Sequence, residues 1–202
     1  MREGSERLAQ LRVQVALIAL ALVPLAWLGL SALRGTLGAN PVETLEHTTG
    51  DWTLRLLLAS LAVTPARRAL GWAFLAPYRR TLGLAAFGYC SVHLLIYALV
   101  DLWGAWDTLL EDVLERPYVS AGFTGFLLLL PLAITSTRSW QRRLGRSWVR
   151  LHRLVYLAGA AGCLHFLWLV KADLREPLVY AGILAVLLGA RLLPRLLRTL
   201  GA

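Results

Sequence analysis

The chain carries four histidines, and three of them lie inside or beside long apolar runs. His93 and His165 each fall deep within such a run, whereas His152 lies near the start of the run that contains His165. His47 lies beside Glu46 in a polar stretch, which predicts a solvated loop residue. An imidazole can ligate a metal or exchange a proton. Which of these is available depends on the depth at which the surrounding segments place each ring.

Six apolar runs predict an all-α polytopic membrane protein, a six-transmembrane-helix bundle. Of the 202 residues, 57% are hydrophobic and 16% are charged, whereas a soluble domain has about 45–50% apolar and about 25% charged residues. The runs do not alternate with period two, which excludes strands. The second run is short and is predicted to end at Pro65. The predicted spans are residues 13–33, 52–64, 82–100, 118–135, 148–170 and 178–193.

The loop charges predict how this bundle is oriented in a membrane. Basic loops favour the cytoplasm, so the tails 1–12 and 194–202 are predicted to be cytoplasmic and to flank one domain, residues 13–193. Ten of the twelve acidic residues fall on the opposite, periplasmic side, and the net charge of +9 follows from orientation, not from binding of nucleic acid. The fourteen basic residues predicted to be cytoplasmic are Arg2, Arg7, Arg12, Arg67, Arg68, Arg79, Arg80, Arg138, Arg142, Arg143, Arg146, Arg150, Arg195 and Arg198.

His93 and His165 are predicted to share a level in the periplasmic half of the bilayer. His93 lies fourteen residues beyond Arg79 and His165 lies seventeen beyond Trp148; at about 1.5 Å per residue, His93 is roughly 21 Å deep. A planar haem between the two helices can take one axial imidazole from each, and such an iron transfers single electrons. The alternative is a hydrogen bond from each histidine to a neighbouring helix. The neighbours of the pair on the same helix faces are mostly small, which leaves room for a macrocycle or for close helix packing: Ala86, Tyr89, Cys90, Ala158, Ala161 and Gly162.

His152 has no histidine partner at its own depth. In a straight helix its side chain points about 140° away from that of His165, and span three offers Arg79 at this level. Three roles stay open: ligation of a second haem with an unusual partner, contact with a quinone or flavin, and a hydrogen bond at the interface.

Two other stretches bear on ligands and partners. The loop 101–116 is predicted to form an amphipathic helix, whose apolar face can rest in the lipid headgroups or dock a partner. The acids of the loop lie on its other, polar faces, and the residues of the apolar face are Trp103, Trp106, Leu110, Val113 and Leu114. Arg55, Lys171 and Trp52 lie at the level of the outer haem and can pair with its propionates or anchor the helix ends.

Neither Cys90 nor Cys163 belongs to a CxxC pattern, and no G-x-G-x-x-G motif is present. A zinc site, a covalent haem and a soluble dinucleotide domain are therefore excluded.

The motifs resemble those of the MsrQ family, which belongs to the ferric reductase-like transmembrane superfamily. The matching runs are NPVETLEHTTGDWTLR, VTPARR, YRRTLGLAAFGYCSVHLLIY, EDVLERPYVSAGF, PLAITST and LGRSWVRLHRLVYLAGAAGCLHFLWLVKADL. The resemblance extends from about Asn40 to the end of span six. It does not cover the first span or the tails.

The resemblance implies a haem b electron-transfer subunit of the bacterial periplasmic methionine sulfoxide reductase system, which repairs oxidised proteins. Electrons are expected to come from the quinone pool or a cytosolic flavin reductase and to pass to MsrP, a periplasmic molybdopterin subunit. The haem-associated histidines of the family correspond to His93, His165 and His152. A second histidine on span three, present in two-haem members of the superfamily, is missing here. FMN is also expected, at no identified site. Two rival functions are a ferric reductase-type cytochrome and a proton-coupled transporter.

Overall fold

In a computed structural model, the backbone is described for residues 2–200 and the side chains for residues 7–192. Over these residues the chain is helical and contains no strand. A 3-10 turn, Ala73–Leu75, precedes the third α-helix, and a π-helical turn, Tyr97–Asp101, follows it. The α-helices are α1 Arg2–Leu33, α2 Pro41–Leu70, α3 Tyr78–Ile96, α4 Trp106–Glu115, α5 Pro117–Ile134, α6 Arg138–Leu144, α7 Arg146–Leu151, α8 Leu154–Leu169 and α9 Arg175–Leu200.

Six of these helices, α1, α2, α3, α5, α8 and α9, overlap the six predicted spans. Among the described residues, three stretches are long and apolar enough to cross a membrane: Arg7–Leu33, Tyr78–Asp101 and Pro117–Ile134. α8 has only 16 residues, and α2 and α9 carry several charged residues. The all-helical fold is confirmed, whereas the count of six spans stays a prediction. Arg2, Arg195 and Arg198, which the orientation prediction uses, lie outside the described side chains.

α2 extends well beyond the second predicted span at both ends. It begins at Pro41, directly after Asn40, whose side chain accepts a hydrogen bond from the Glu43 amide. This is a common way to satisfy the first amides of a helix. Its C-terminus is followed by Gly71 at φ 69°, the left-handed conformation that glycine adopts without strain. His47 therefore lies in a helix, and its predicted place in a loop is wrong.

α2 continues past Pro65, where the second span is predicted to end, because another helix supplies the missing hydrogen bond. Proline has no N–H, so the carbonyl four residues earlier, that of Leu61, loses its helical partner. The buried Arg191 guanidinium of α9 donates a hydrogen bond to this carbonyl. Arg191 also lies over the Tyr156 ring of α8, 5.1 Å from its centroid. A neighbouring helix that satisfies the freed carbonyl lets α2 continue past the proline.

Two helix pairs, α2 with α3 and α5 with α8, form most of the interhelical packing. The core between the helices contains Leu57, Leu61, Ala86, Tyr89 and Ala158, all of them buried. Residues 34–51, 101–116 and 171–176 form one end of the bundle, called the acidic end below because ten of the twelve acidic residues lie there.

Candidate functional site

A cavity of about 600 Å³ lies between the two helix pairs and opens at the acidic end. Cofactor sites are typically clefts of about 300–1,000 Å³ lined mainly by apolar side chains. His93 of α3 and His165 of α8 both line this cavity, so the structure brings the predicted pair together. Most of the remaining wall is apolar and includes Leu54, Leu57, Phe126, Leu129 and Phe166.

The outward nitrogen of His93 is held by α2. Its Nδ1 lies 3.0 Å from the carbonyl oxygen of Glu46 and 3.2 Å from Oγ1 of Thr49. The Thr49 hydroxyl donates to the Leu45 carbonyl at 2.7 Å, which leaves its oxygen free to accept. These acceptors favour the tautomer with the proton on Nδ1. Nε2 is then left with its lone pair available for a metal.

His165 is held in the same way by α5. Its Nδ1 lies 2.7 Å from the Tyr118 carbonyl oxygen. Metal-ligating histidines almost always donate their other ring N–H to a carbonyl or carboxylate, which fixes both the tautomer and the ring orientation. His93 and His165 each meet this condition through a different neighbouring helix. The two rings are therefore oriented as a pair of ligands by four helices: α2, α3, α5 and α8.

The separation of the two imidazoles fits one iron between them. The ring centroids of His93 and His165 lie 6.1 Å apart, and the ring planes are inclined by 80°. An iron with an imidazole nitrogen about 2 Å away on each side places the centroids roughly 6 Å apart. A macrocycle would supply the other ligands of such an iron, so two histidines would be enough to hold it.

Glycines allow this close approach of rings to helices. A methyl group at Gly122 of α5 would lie 2.7 Å from Nδ1 of His165, and one at Gly50 of α2 would lie 3.4 Å from Cε1 of His93. Gly125 and Gly162 also line the cavity. Gly162 is among the residues predicted from the sequence to lie near the pair, whereas Gly50, Gly122 and Gly125 are not. The spacing of Gly122 and Gly125, one turn apart in an apolar helix, was the available signal.

The neighbours of the histidine pair named from the sequence divide among three locations. Cys90, Ala158 and Gly162 line the cavity. Ala86 and Tyr89 belong to the core instead, where the Tyr89 hydroxyl donates to the Ala21 carbonyl of α1. Ala161 lines a separate, open groove between α5 and α8.

Of the three predicted propionate partners, Lys171 lines the cavity. Arg55 instead donates to the Tyr180 hydroxyl of α9 at 2.8 Å and to Oδ2 of Asp51 at 2.9 Å. Its guanidinium also lies over the Trp52 ring, 5.5 Å from the centroid. Arg55 and Trp52 thus join α2 to its neighbours at the acidic end.

Glu46 provides an independent test of what the cavity holds. Its side chain lines the mouth, and its Oε1 is buried with no hydrogen-bond partner among the described residues. A buried polar atom without a hydrogen bond costs free energy. Glu46 and Lys171 together fit a ligand that is apolar over most of its surface and polar along one edge. Haem, with its propionates on one edge, is such a ligand, and the residues present fit it.

His152 lies away from this cavity, at the opposite end of the bundle. It follows α7 at a break between α7 and α8. Its ring stacks on Trp148 with centroids 3.8 Å apart, and its Nδ1 lies 3.1 Å from the Trp148 carbonyl oxygen. The ring also faces the Leu132 carbonyl. Among its described contacts, His152 thus has aromatic and backbone neighbours, and its role stays a prediction.

The loop 101–116 contains the predicted amphipathic helix, α4. Trp106, Leu110 and Leu114 on its outer face are exposed, as is Trp103 before it. Val113, predicted on the same face, lines the cavity instead. α4 therefore covers the acidic end of the site with its inner face and presents an apolar face outward.

The chain combines long apolar helices with a histidine pair that faces inward between them, and the class of protein follows from a comparison with known families. The sequence model described as "Ferric reductase like transmembrane component" matches residues 49–163, a range that includes His93 and His152 and stops two residues before His165. The chain is accordingly an integral membrane protein.

Similar proteins identify the branch of this class. A protein of Xanthomonas campestris pv. campestris (strain 8004) is 52% identical over 189 residues, which cover 91% of this chain and 87% of the relative. One of Xanthomonas axonopodis pv. citri is 53% identical over 88% and 84% of the two chains, and one of Rhodospirillum rubrum is 48% identical over 96% and 91%. Each is named a protein-methionine-sulfoxide reductase heme-binding subunit MsrQ. The chain belongs to the MsrQ family. No solved structure matches it.

Proposed function

We propose that this chain is a haem b electron-transfer subunit that carries electrons across the bacterial inner membrane to a periplasmic methionine sulfoxide reductase. The single observation that carries the proposal is the pair His93 and His165, whose rings line one cavity 6.1 Å apart with each Nδ1 bonded to a backbone carbonyl. When bound, haem supplies one-electron transfer. The names of the relatives, which the chain matches over most of its length, support the same reading.

In this proposal the protein residues hold and orient the cofactor. Nε2 of His93 and Nε2 of His165 would bind the haem iron, and the carbonyls of Glu46 and Tyr118 fix the tautomers that leave these nitrogens available. Lys171 at the mouth pairs with a propionate. Apolar side chains exclude water from the rest of the cavity, which disfavours proton-coupled side reactions. Two axial histidines leave no position for a substrate, so the reducing site belongs to the partner, the molybdopterin subunit MsrP.

The proposed direction of electron transfer, from the cytoplasmic to the periplasmic end, depends on the predicted orientation of the bundle in the membrane. With six spans and both termini in the cytoplasm, the acidic end faces the periplasm, and the haem lies near the partner. The exposed apolar face of α4 is the proposed contact with MsrP. His152 and Trp148 lie at the cytoplasmic end, where a quinone or a cytosolic flavin reductase delivers electrons. A second haem and FMN are further proposals that rest on the family resemblance.

The first test is the spectrum of the purified protein. Expressed with ample haem, it is expected to show a reducible low-spin haem b with at least one haem per chain. A colourless but folded protein would refute the proposal and favour a proton-coupled transporter.

Reoxidation of the reduced protein separates the remaining functions. MsrP with methionine sulfoxide should reoxidise it, whereas faster reoxidation by ferric chelates alone would indicate a ferric reductase.

A second test concerns the cytoplasmic end. Substitution His152→Ala is expected to slow reduction by the quinol or flavin donor more than it lowers the haem content of the outer site. The reason is that His152 lies outside the cavity and contacts Trp148 and backbone carbonyls. Stopped-flow reduction and the haem-to-protein ratio measure the two effects separately. Equal loss of the whole haem spectrum in His152→Ala and His165→Ala would contradict this role.

A further inference from the structure

The helix that covers the site contains a buried acid. Asp112 lies on α4 with 5% of its side chain exposed, although the sequence pattern predicted that the acids of this helix face water. Both carboxylate oxygens have partners: Oδ1 lies 2.8 Å from Nε of Arg116, and Oδ2 accepts from the Tyr97 hydroxyl. A carboxylate is costly to bury unless it is paired and hydrogen-bonded. A satisfied network of this kind holds its members in one geometry.

The first contact of Asp112, with the Tyr97 hydroxyl, connects it to α3, the helix that carries His93. Tyr97 begins the π-helical turn Tyr97–Asp101 that follows α3, and its amide donates a hydrogen bond to the His93 carbonyl. Such π turns are rare in proteins overall, but those that occur are often found at functional sites. Because Tyr97 follows His93 by one turn, its bond to Asp112 fixes the last turn of the helix that carries the ligand.

The second contact of Asp112, with Arg116, connects it to Tyr118, whose backbone carbonyl orients the ring of His165. Arg116 joins α4 to α5, and its guanidinium donates to the Tyr118 hydroxyl at 3.3 Å. The backbone carbonyl of Tyr118 accepts from Nδ1 of His165 at 2.7 Å. The hydrogen bond to Tyr118 and the carboxylate of Asp112 raise the pKa of Arg116, so the guanidinium stays charged. The start of α5 is thereby fixed against α4.

We propose that Asp112 is a positioning residue that fixes both axial histidines relative to one another. Its two oxygens join the end of α3, which carries His93, to the start of α5, where the Tyr118 carbonyl orients the ring of His165. This inference rests on the proposed function, since it assumes haem between the two rings. It predicts that the mutual angle of the imidazoles and the retention of haem depend on a side chain that touches neither.

The test uses the full-length, haem-loaded protein with the substitution Asp112→Asn, which keeps the shape and removes the charge. Two quantities are measured: the electron paramagnetic resonance spectrum of the ferric haem, which reports the angle between axial imidazole planes, and the rate of haem transfer to a soluble apo-acceptor. We expect a shifted spectrum and transfer faster by roughly tenfold, as for loss of other groups that orient a metal ligand. Glu111→Gln is the matched control, because Glu111 is exposed on the same helix and loses the same charge. It should change neither quantity.

Further variants separate positioning from general stability. Tyr97→Phe removes the hydrogen bond from the Tyr97 hydroxyl to Asp112 with almost no change in volume. It should shift the spectrum even if Asp112→Asn folds poorly. A lower melting temperature with the wild-type spectrum and transfer rate in both variants would overturn the inference and leave the proposed function intact. A wild-type protein without haem would overturn both.

Discussion

Substitution of either His93 or His165 by alanine is expected to abolish the low-spin haem b spectrum of the purified protein. In the proposed site each ring supplies one of two axial bonds, and its Nδ1 is already bonded to a carbonyl of the adjacent helix. Loss of a group that only orients a ligand costs roughly 10- to 100-fold in metal affinity. Loss of the ligand itself should cost more, so haem content should fall to background in both variants.

The measurement is the haem-to-protein ratio together with the reduced-minus-oxidised spectrum. His47→Ala is the matched control, because His47 lies at the mouth of the same cavity but its side chain is 47% exposed and its Nε2 lies 3.8 Å from Glu43. This variant should keep its haem. Added imidazole should restore a low-spin spectrum to His93→Gly, since the cavity then has room for the free ligand. Wild-type haem content in His93→Ala would refute axial ligation by this residue.

The histidine pair was predictable because depth in a membrane helix follows from counting residues. A rise of about 1.5 Å per residue places His93 and His165 at similar levels in two parallel helices. The lining of one cavity by both rings agrees with that estimate. The all-helical fold was predictable for a similar reason, since apolar runs without period two leave helices as the spanning structure.

Contacts between helices were not predictable from these patterns. Because proline usually ends a helix, the sequence around Pro65 predicts a helix end. The contact that explains why α2 continues is made by the Arg191 guanidinium, 126 residues later in the chain. Asp112 reads locally as a solvated acid on an amphipathic helix. Its burial depends on Tyr97 and Arg116, whose positions follow from a π turn and a tight junction with α5. Periodicity describes one helix at a time and carries no information on such partners.

The geometry at His152 shows a further limit of reasoning from an ideal helix. The predicted angle of about 140° to His165 assumed one continuous helix. The chain instead breaks between α7 and α8 beside His152. Trp148 contributes to this break, because its indole N–H donates to the Thr135 carbonyl at 2.8 Å and fixes α7 against the end of α5.

Substitution Gly122→Ala is expected to remove most of the haem while leaving the protein folded. The added methyl group would lie 2.7 Å from Nδ1 and 3.0 Å from Cε1 of His165, distances at which the ring must move. The ring cannot move without losing its hydrogen bond to the Tyr118 carbonyl. Overpacking of one methyl group typically costs about 1–3 kcal/mol, which lowers stability without unfolding the chain. Displacement of an axial ligand should instead lower haem affinity by at least roughly tenfold.

The matched control is Gly88→Ala on α3, where a methyl group meets nothing within 4 Å. Both variants add the same group to a helix of the bundle, and both gain the higher helix propensity of alanine. Haem content and thermal unfolding, measured side by side, separate the two effects. The expected result is a haem-poor Gly122→Ala beside a haem-replete Gly88→Ala, with both proteins melting cooperatively. Full haem occupancy in Gly122→Ala would mean that His165 binds with its ring elsewhere, and the carbonyl of Tyr118 would then lose its proposed part in orienting the ligand.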